Sequence, residues 1–277
     1  MLSGNTFGVT QEGTYKSIRD SGLFYLMEIF MGQFTKGQKI EFGKLGAIGS
    51  LIDVINTIFF KDTRKSNGKI ILRRELPSDL HILKIISKVE SILEINLQEG
   101  YLKDIWSMLW NLTDNNYENC KFFLLNGGLD SFLHSKRRVD SHENVILMKC
   151  ILGPIMNLSE FKHHREELIK KIGFVQELVS VIEDDFEISY MAIGIIANLA
   201  LDGPDVWNIE EFEFGNLKEK ILIKMYTWSL ESKLGINYNS FEPILRLLKL
   251  SHEPYSQYWA MWTLAHFAKK DGKYNNM

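Results

Sequence analysis

A chain of 277 residues, 45% of them hydrophobic, can bury a continuous core, which excludes bulk disorder. A formal net charge of −3 argues against binding nucleic acid, which needs a basic surplus or a concentrated basic patch. Only five prolines and twenty glycines suit long helices better than a β-rich fold.

The first thirteen residues, MLSGNTFGVTQEG, are polar and lack the apolar stretch of a signal peptide. No run of about eighteen apolar residues occurs, so no membrane span is expected. Cys120 and Cys150 have no Cys or His at ligand spacing and read as reduced thiols. The expected compartment is the cytoplasm, extending also to the nucleus.

Residues 1–14 read as a flexible N-terminus. Tyr15 to Phe34 is helical, with Ile18, Leu23, Leu26, Met27 and Phe30 on one side. Glycine punctuation at 32–37 ends it, and GAIGSLIDVINTIFF follows from Gly46 to Phe60. A glycine turn before an apolar helix recurs as GGLDSFL at Gly127 and as IGFVQELVSVI at Ile172. Residues 61–77 are basic and contain the turn signal Asn67-Gly68. They read as a solvated loop between helices rather than as a phosphate site. Ser78-Asp79 caps a helix running to about Asn96, Gly100 breaks it, and Leu102 to Thr113 forms the next. Residues 134–143, HSKRRVDSHE, read as a polar loop. Helices are expected at 144–158, 164–171, 173–183 and 187–201, with Gly203-Pro204 stopping the last. Residues 205–240 form an irregular unit that includes a helix from Leu217 to Leu230. Phe241 to Leu250 and Tyr255 to Lys269 close the chain as a helical pair, with Trp228, Trp259 and Trp262 read as core.

Related wording returns along this pattern. WNLTD around Asn111 is echoed by MNLSE around Asn157, by ANLALD around Asn198 and, weakly, by AHFAKKD around His266. The Asn-Leu pairs at 111, 157 and 198 are 46 and 41 residues apart. A period of roughly 40–47 residues in an all-helical pattern marks armadillo or HEAT repeats, which stack and expose one long groove. The expected fold is therefore an all-α, armadillo-like helical repeat solenoid, with divergent repeats over 15–100 and regular ones over 101–274.

Function is sought in the groove. Trp110 and Asp114 are four residues apart and neighbours on a helix, and Asn157 and Glu160 are three apart. If the repeats stack, Asp114 and Glu160 sit at matching ends of adjacent helices, roughly 8–10 Å apart axis to axis. Two acids without histidine or cysteine suit a cation, and a peptide α-ammonium (pKa about 8, three N–H donors) fits. Asparagine amides could pair with the peptide backbone while Trp110 walls the site. The bland alternative is that both acids cap helix ends. A hydrolytic pair is disfavoured because no nucleophile, Gly-rich phosphate loop or metal cluster accompanies them. His163-His164-Arg165-Glu166-Glu167 could mimic a metal site but reads as a solvated helix face. No metal, cofactor or catalytic residue is therefore expected.

SMLWNLTDNNYENCKFFLLNGGLDSFL, GPIMNLSE, ISYMAIGIIANLA, NSFEPILRLL and SQYWAMWTLAHFAKKD resemble, in the same order, the armadillo part of the Zyg-eleven and Zer-one proteins. Those are substrate receptors of cullin-two RING ubiquitin ligases. The resemblance runs from about Trp106 to Tyr274, and only the repeat style matches before that. It implies a non-catalytic groove that binds proteins with a free N-terminal glycine. Carried over by motif, Asp114 and Glu160 would hold the ammonium, Asn111 and Asn157 would bond the first backbone groups, and Trp110 would shape the glycine pocket. Tyr190 and Asn198 would line the next subsite, where Asn198 replaces the histidine the family commonly shows. Family members carry leucine-rich repeats and a cullin-binding box ahead of the armadillo part, and neither is found in these residues. Recognition of a substrate is thus expected here, with the ligase reached through other regions. The alternative is a general armadillo scaffold that binds extended internal peptides.

Overall fold

Residues 35–60, 99–139, 141–203, 206, 217–236, 238 and 240–274 are described by a computed structural model. All regular structure within them is helical. In order, the helices are α1 (Lys36–Lys44), α2 (Ala47–Phe60), α3 (Glu99–Thr113), α4 (Tyr117–Leu125), α5 (Gly128–Arg138) and α6 (Val145–Ser159). They continue as α7 (Lys162–Lys170), α8 (Phe174–Val179), α9 (Phe186–Leu199), α10 (Leu217–Tyr226), α11 (Glu242–Leu247) and α12 (Pro254–Tyr274), and Ala200–Asp202 extends α9 as a 3-10 turn.

Among the described residues the helices group in threes, as α1-α2-α3, α4-α5-α6, α7-α8-α9 and α10-α11-α12. The third helices stack side by side in the order α3, α6, α9, α12. This is the expected helical repeat solenoid. Across the boundary expected near residue 100, α3 packs on α1 and α2. Gly100 lies in the first turn of α3 rather than between helices.

Local sequence explains the joints. Gly46, Gly127 and Gly173 separate the first and second helices of three repeats, with φ of 84°, 79° and 83°. Only glycine takes that conformation without a Cβ penalty, which is why the turn signal recurs in the sequence. At α1, Thr35 and Gln38 form a reciprocal capping box. Asn115, at φ 47°, turns the chain after α3, and Asn116 caps α4 by accepting from the Asn119 N–H at 3.2 Å.

The core follows the stack. α6 is buried from Leu147 to Ser159 except at Lys149, because α3 and α9 cover its two sides. Its near-continuous apolar run suits a helix enclosed all round. Trp106, Trp259 and Tyr190 are among the largest fully buried side chains. Trp262 is buried and Trp228 partly so, as expected of core aromatics. Cys120 and Cys150 are free thiols, both buried.

Three local expectations differ from the structure. The polar stretch 134–143 is not all loop: α5 runs through Arg138. Ser135 is buried beneath it, and Lys136, Arg137 and Arg138 fill the last turn, where cations favour the helix dipole. Arg137 is tied further to α8, its Nε donating to Glu177 Oε1 at 2.6 Å. The 163–167 cluster is not all solvated: His164 and Arg165 are buried. In the irregular unit, α10 stops at Tyr226 rather than Leu230, and among the described residues no further helix precedes α11. The helices expected at 15–34 and 78–96, the N-terminus and the basic 61–77 stretch lie outside the described residues.

Candidate functional site

The asparagine stripe is a ladder between repeats. Asn157 Nδ2 donates to Trp110 O and to Thr113 Oγ1, both at 2.9 Å. One repeat on, Asn198 Nδ2 donates to Ser159 Oγ at 2.9 Å. Each asparagine thus reaches back to the hydroxyl that follows the previous asparagine by two residues. Thr113 and Ser159 are fully buried, which is why Asn-Leu-Thr and Asn-Leu-Ser recur. Both protons of the Asn157 amide are committed, which leaves its Oδ1 as the atom able to accept an N–H. Asn111 folds back on its own helix, Nδ2 donating to Ser107 O at 3.0 Å.

Trp110 is half-buried and lies against Gly153 of α6. A Cβ at Gly153 would stand 2.2 Å from the Trp110 indole, so this glycine makes room for the ring.

Three acids follow three of the four stacked helices, α3, α6 and α9. Asp114 follows α3, its N–H donating to Trp110 O at 3.1 Å, and Glu160 caps α6, its N–H donating to Asn157 O at 3.3 Å. Asp202 closes the turn after α9. A carboxylate is poorly placed at a helix C-terminus, where the dipole is already negative. Two of the three have cations. Lys39 Nζ stands 3.3 Å from Asp114 Oδ2. Arg165 grips Asp202 with two bonds, Nε to Oδ2 at 2.7 Å and Nη2 to Oδ1 at 2.6 Å, with both side chains buried. Its Nη1 also donates to Ser159 O at 3.1 Å and Glu160 O at 3.2 Å, which satisfies the carbonyl end of α6.

Glu160, between the other two, differs. Among the described residues no ion pair reaches its carboxylate. Burial, and secondarily the charge of Asp114, push its pKa up to about 7, and the exposed Arg246 opposes them. Both carboxylates add to the upward push on the Cys120 thiol of α4, and Glu160 adds to that on the Tyr238 hydroxyl. Burial pushes the Cys120 thiol well up, and its Sγ–H donates to Thr113 O at 3.4 Å. It is structural.

Tyr190 does not face an open groove. It is fully buried, its hydroxyl 2.7 Å from that of Tyr238 and 3.0 Å from Thr263 Oγ1. Trp228, Trp259 and Trp262 surround it, with ring centroids 5.1–5.8 Å away. Asn198 is buried as well and is engaged in the ladder. The structure therefore brings Trp110, Asp114, Asn157 and Glu160 together at the ends of α3 and α6, and sets Tyr190 and Asn198 beneath the surface. Sequence reasoning missed Lys39, Thr113, Ser159 and Arg165. The repeated hydroxyl after Asn-Leu was the one available signal. Among the described residues no cluster of His, Cys, Asp or Glu could hold a metal, and no helix is long and apolar enough to cross a membrane.

Stacked three-helix repeats joined by an asparagine ladder, with acids at the ends of the groove-lining helices, define a helical repeat protein of the armadillo type. Residues 9–277 match the family described as "Protein zer-1 homolog-like, C-terminal domain", and the chain belongs to that family. It is similar to the human protein named "Protein zer-1 homolog", 35% identical over 161 residues, which are 57% of this chain and 21% of that one. The Caenorhabditis elegans "Zyg eleven-related protein 1" is 30% identical over 238 residues, 85% of this chain and 23% of the relative. A Drosophila melanogaster "Protein zer-1 homolog" is 27% identical over 221 residues, 68% of this chain and 28% of the relative. The chain spans about a quarter of the length of the curated relatives it matches.

Proposed function

We propose that this chain is a substrate-recognition module that binds protein N-termini, glycine first, for a cullin-two RING ubiquitin ligase. The observation that carries this reading is Glu160: the one acid of three helix-end acids without an ion pair among the described residues, half-buried and beside a second carboxylate. An arriving α-ammonium supplies the missing cation. It brings three N–H donors to Glu160 and Asp114, and Asn157 Oδ1 can accept from the next backbone N–H. Trp110, lying on Gly153, forms a wall that leaves least room for a side chain on the first residue. Membership of the family supports the same reading, and the cullin-two ligase is reached through regions outside this chain. The module binds and does not catalyse.

The test is peptide binding by calorimetry. Three peptides are compared: one starting with free glycine, its N-acetylated twin, and one starting with lysine. The free glycine peptide is expected to bind selectively. Glu160→Gln and Asp114→Ala should each weaken it by about 1.5–3 kcal/mol, as for a charge-assisted hydrogen bond. Equal binding of all three peptides would instead favour a scaffold that grips internal peptide segments.

A further inference from the structure

Asp114 already holds an ammonium, and it is one of the chain's own. Lys39 Nζ is 3.3 Å from Asp114 Oδ2, across 75 residues of sequence. The lysine is delivered by a docked helix rather than by a loose surface side chain. α1 starts at the Thr35–Gln38 capping box. It then approaches α4 so closely at Gly43 that a Cβ there would stand 1.8 Å from Asn119 Oδ1. Asn119 Nδ2 in turn donates to Lys39 O and to Leu112 O, both at 2.8 Å, which ties the backbone of Lys39 to the end of α3. The Lys39 side chain is only 17% exposed and that of Asp114 is 30% exposed, so the pair is partly shielded from solvent screening.

We propose that Lys39 is a tethered competitor for the ammonium site: its ε-ammonium occupies Asp114 in the empty groove, and an arriving α-ammonium must share or displace it. This rests on the reading of Asp114 and Glu160 as the ammonium site and adds its regulation. The chemistry of plug and ligand is the same, a primary ammonium with three N–H donors. The neighbouring Glu160 has no such partner among the described residues, so the empty site is half neutralised: Asp114 is covered and Glu160 is open. Two effects follow. Lys39 repels the incoming cation, which weakens binding, and it makes a second positive charge at the first residue still less welcome. Selectivity against N-terminal lysine and arginine thereby has an electrostatic source besides the Trp110 wall.

The experiment measures binding of the free glycine peptide to the full chain and to Lys39→Met, which keeps the stem and removes the charge. Lys39→Gln is the second variant, and a thermal melt confirms that each is folded. Removing the competitor is expected to tighten binding by roughly threefold to tenfold at low salt. The gain should shrink as salt rises, and the penalty on a peptide starting with lysine should fall in parallel. The N-acetylated peptide should gain nothing. Folded Lys39 variants that bind the free glycine peptide as tightly as the wild-type chain, or more weakly, would overturn the competitor while leaving the ammonium site standing. No binding of that peptide to wild type or variants would overturn both.

Discussion

Two ends of the solenoid use the same packing device for opposite ends. At α3 and α6, Trp110 lies on Gly153, and at α9 and α12, Trp259 lies on Gly194, where a Cβ would stand 2.5 Å from the indole. Each glycine precedes the ladder asparagine of its helix by four residues, so both put a tryptophan beside the asparagine stripe. Trp259 is 1% exposed, and its Nε1 donates to Tyr190 O at 3.0 Å. Tyr190 packs on it, tilted by 30° at 5.1 Å between ring centroids, and Phe186, Trp228 and Trp262 in turn pack on Tyr190. Trp110 stays half-buried, and the two helices that meet at it end in Asp114 and Glu160. The repeat supplies the same glycine–tryptophan contact twice, and its surroundings differ: Tyr190 and its aromatic neighbours at Trp259, helix-end acids near Trp110.

The largest expected effect tests what supports both ends, the Arg165–Asp202 pair between them. Both side chains are buried, at 5% and 3% exposure, and the guanidinium also carries two carbonyls at the end of α6. Removing one partner strands the other charge, so Arg165→Met should cost about 3–5 kcal/mol of stability. Chemical denaturation measures it. A loss below 1 kcal/mol, on the scale of an exposed pair, would show that the two charges are solvated in solution.

Glycine substitutions sharpen the comparison directly. At Gly194 the added methyl meets a tryptophan fixed on all sides, so Gly194→Ala should cost about 1–3 kcal/mol of stability. At Gly153 the half-buried Trp110 can swing outward, so Gly153→Ala should lose less stability. Its penalty should fall on the free glycine peptide, with affinity down about tenfold, or about 1.4 kcal/mol. Equal stability losses with unchanged peptide binding would show that Trp110 is core rather than wall.

The ladder gives a smaller contrast. Ser159→Ala removes the acceptor of the Asn198 amide, whereas Thr113→Val leaves Asn157 its second acceptor, Trp110 O. Ser159→Ala should therefore be the more damaging, by about 1 kcal/mol in thermal unfolding. The reverse order would mean that Trp110 O alone does not hold the Asn157 amide.

How much of this was legible follows from the range of the interactions. Gly46, Gly127 and Gly173 announce their turns because a positive φ is a property of one residue. Trp110, Asp114, Asn157 and Glu160 could be singled out because helical spacing within one turn places them. Tyr190 shares the same repeat logic, yet lies in the core because Tyr238, Thr263 and three tryptophans from later segments close over it. Lys39 and Arg165 were out of reach for the same reason: their partners are 75 and 37 residues away. Arg165 also sits in a run of charged residues whose composition reads as solvated, and only the stacked neighbour supplies Asp202 to bury it. Charges that are distant in sequence carry no periodic signal, and here those charges decide which acid is covered.

The finest test concerns Glu160, whose carboxyl is pushed up to about 7 by burial and then by Asp114. A folded-state pKa above the usual carboxylate range means that the folded chain holds this proton longer than the unfolded chain. Its contribution to stability is therefore greatest below the ordinary glutamate range and declines as pH rises through about 7. Glu160→Gln should flatten that part of the stability profile. Binding runs the other way, because an ammonium wants the carboxylate ionised. Affinity for the free glycine peptide should climb as pH passes through about 7 and turn down as the α-amine loses its proton near about 8. Near pH 7 about half of the sites carry the proton, so moving to pH 7.5 should change affinity by less than about twofold, the smallest effect proposed here. Bound ammonium also expels that proton, so calorimetry in two buffers of different ionisation enthalpy should give different apparent heats in wild type and the same heat in Glu160→Gln. Identical heats in wild type would mean that Glu160 is already ionised in the empty groove, and that the open acid owes nothing to its burial.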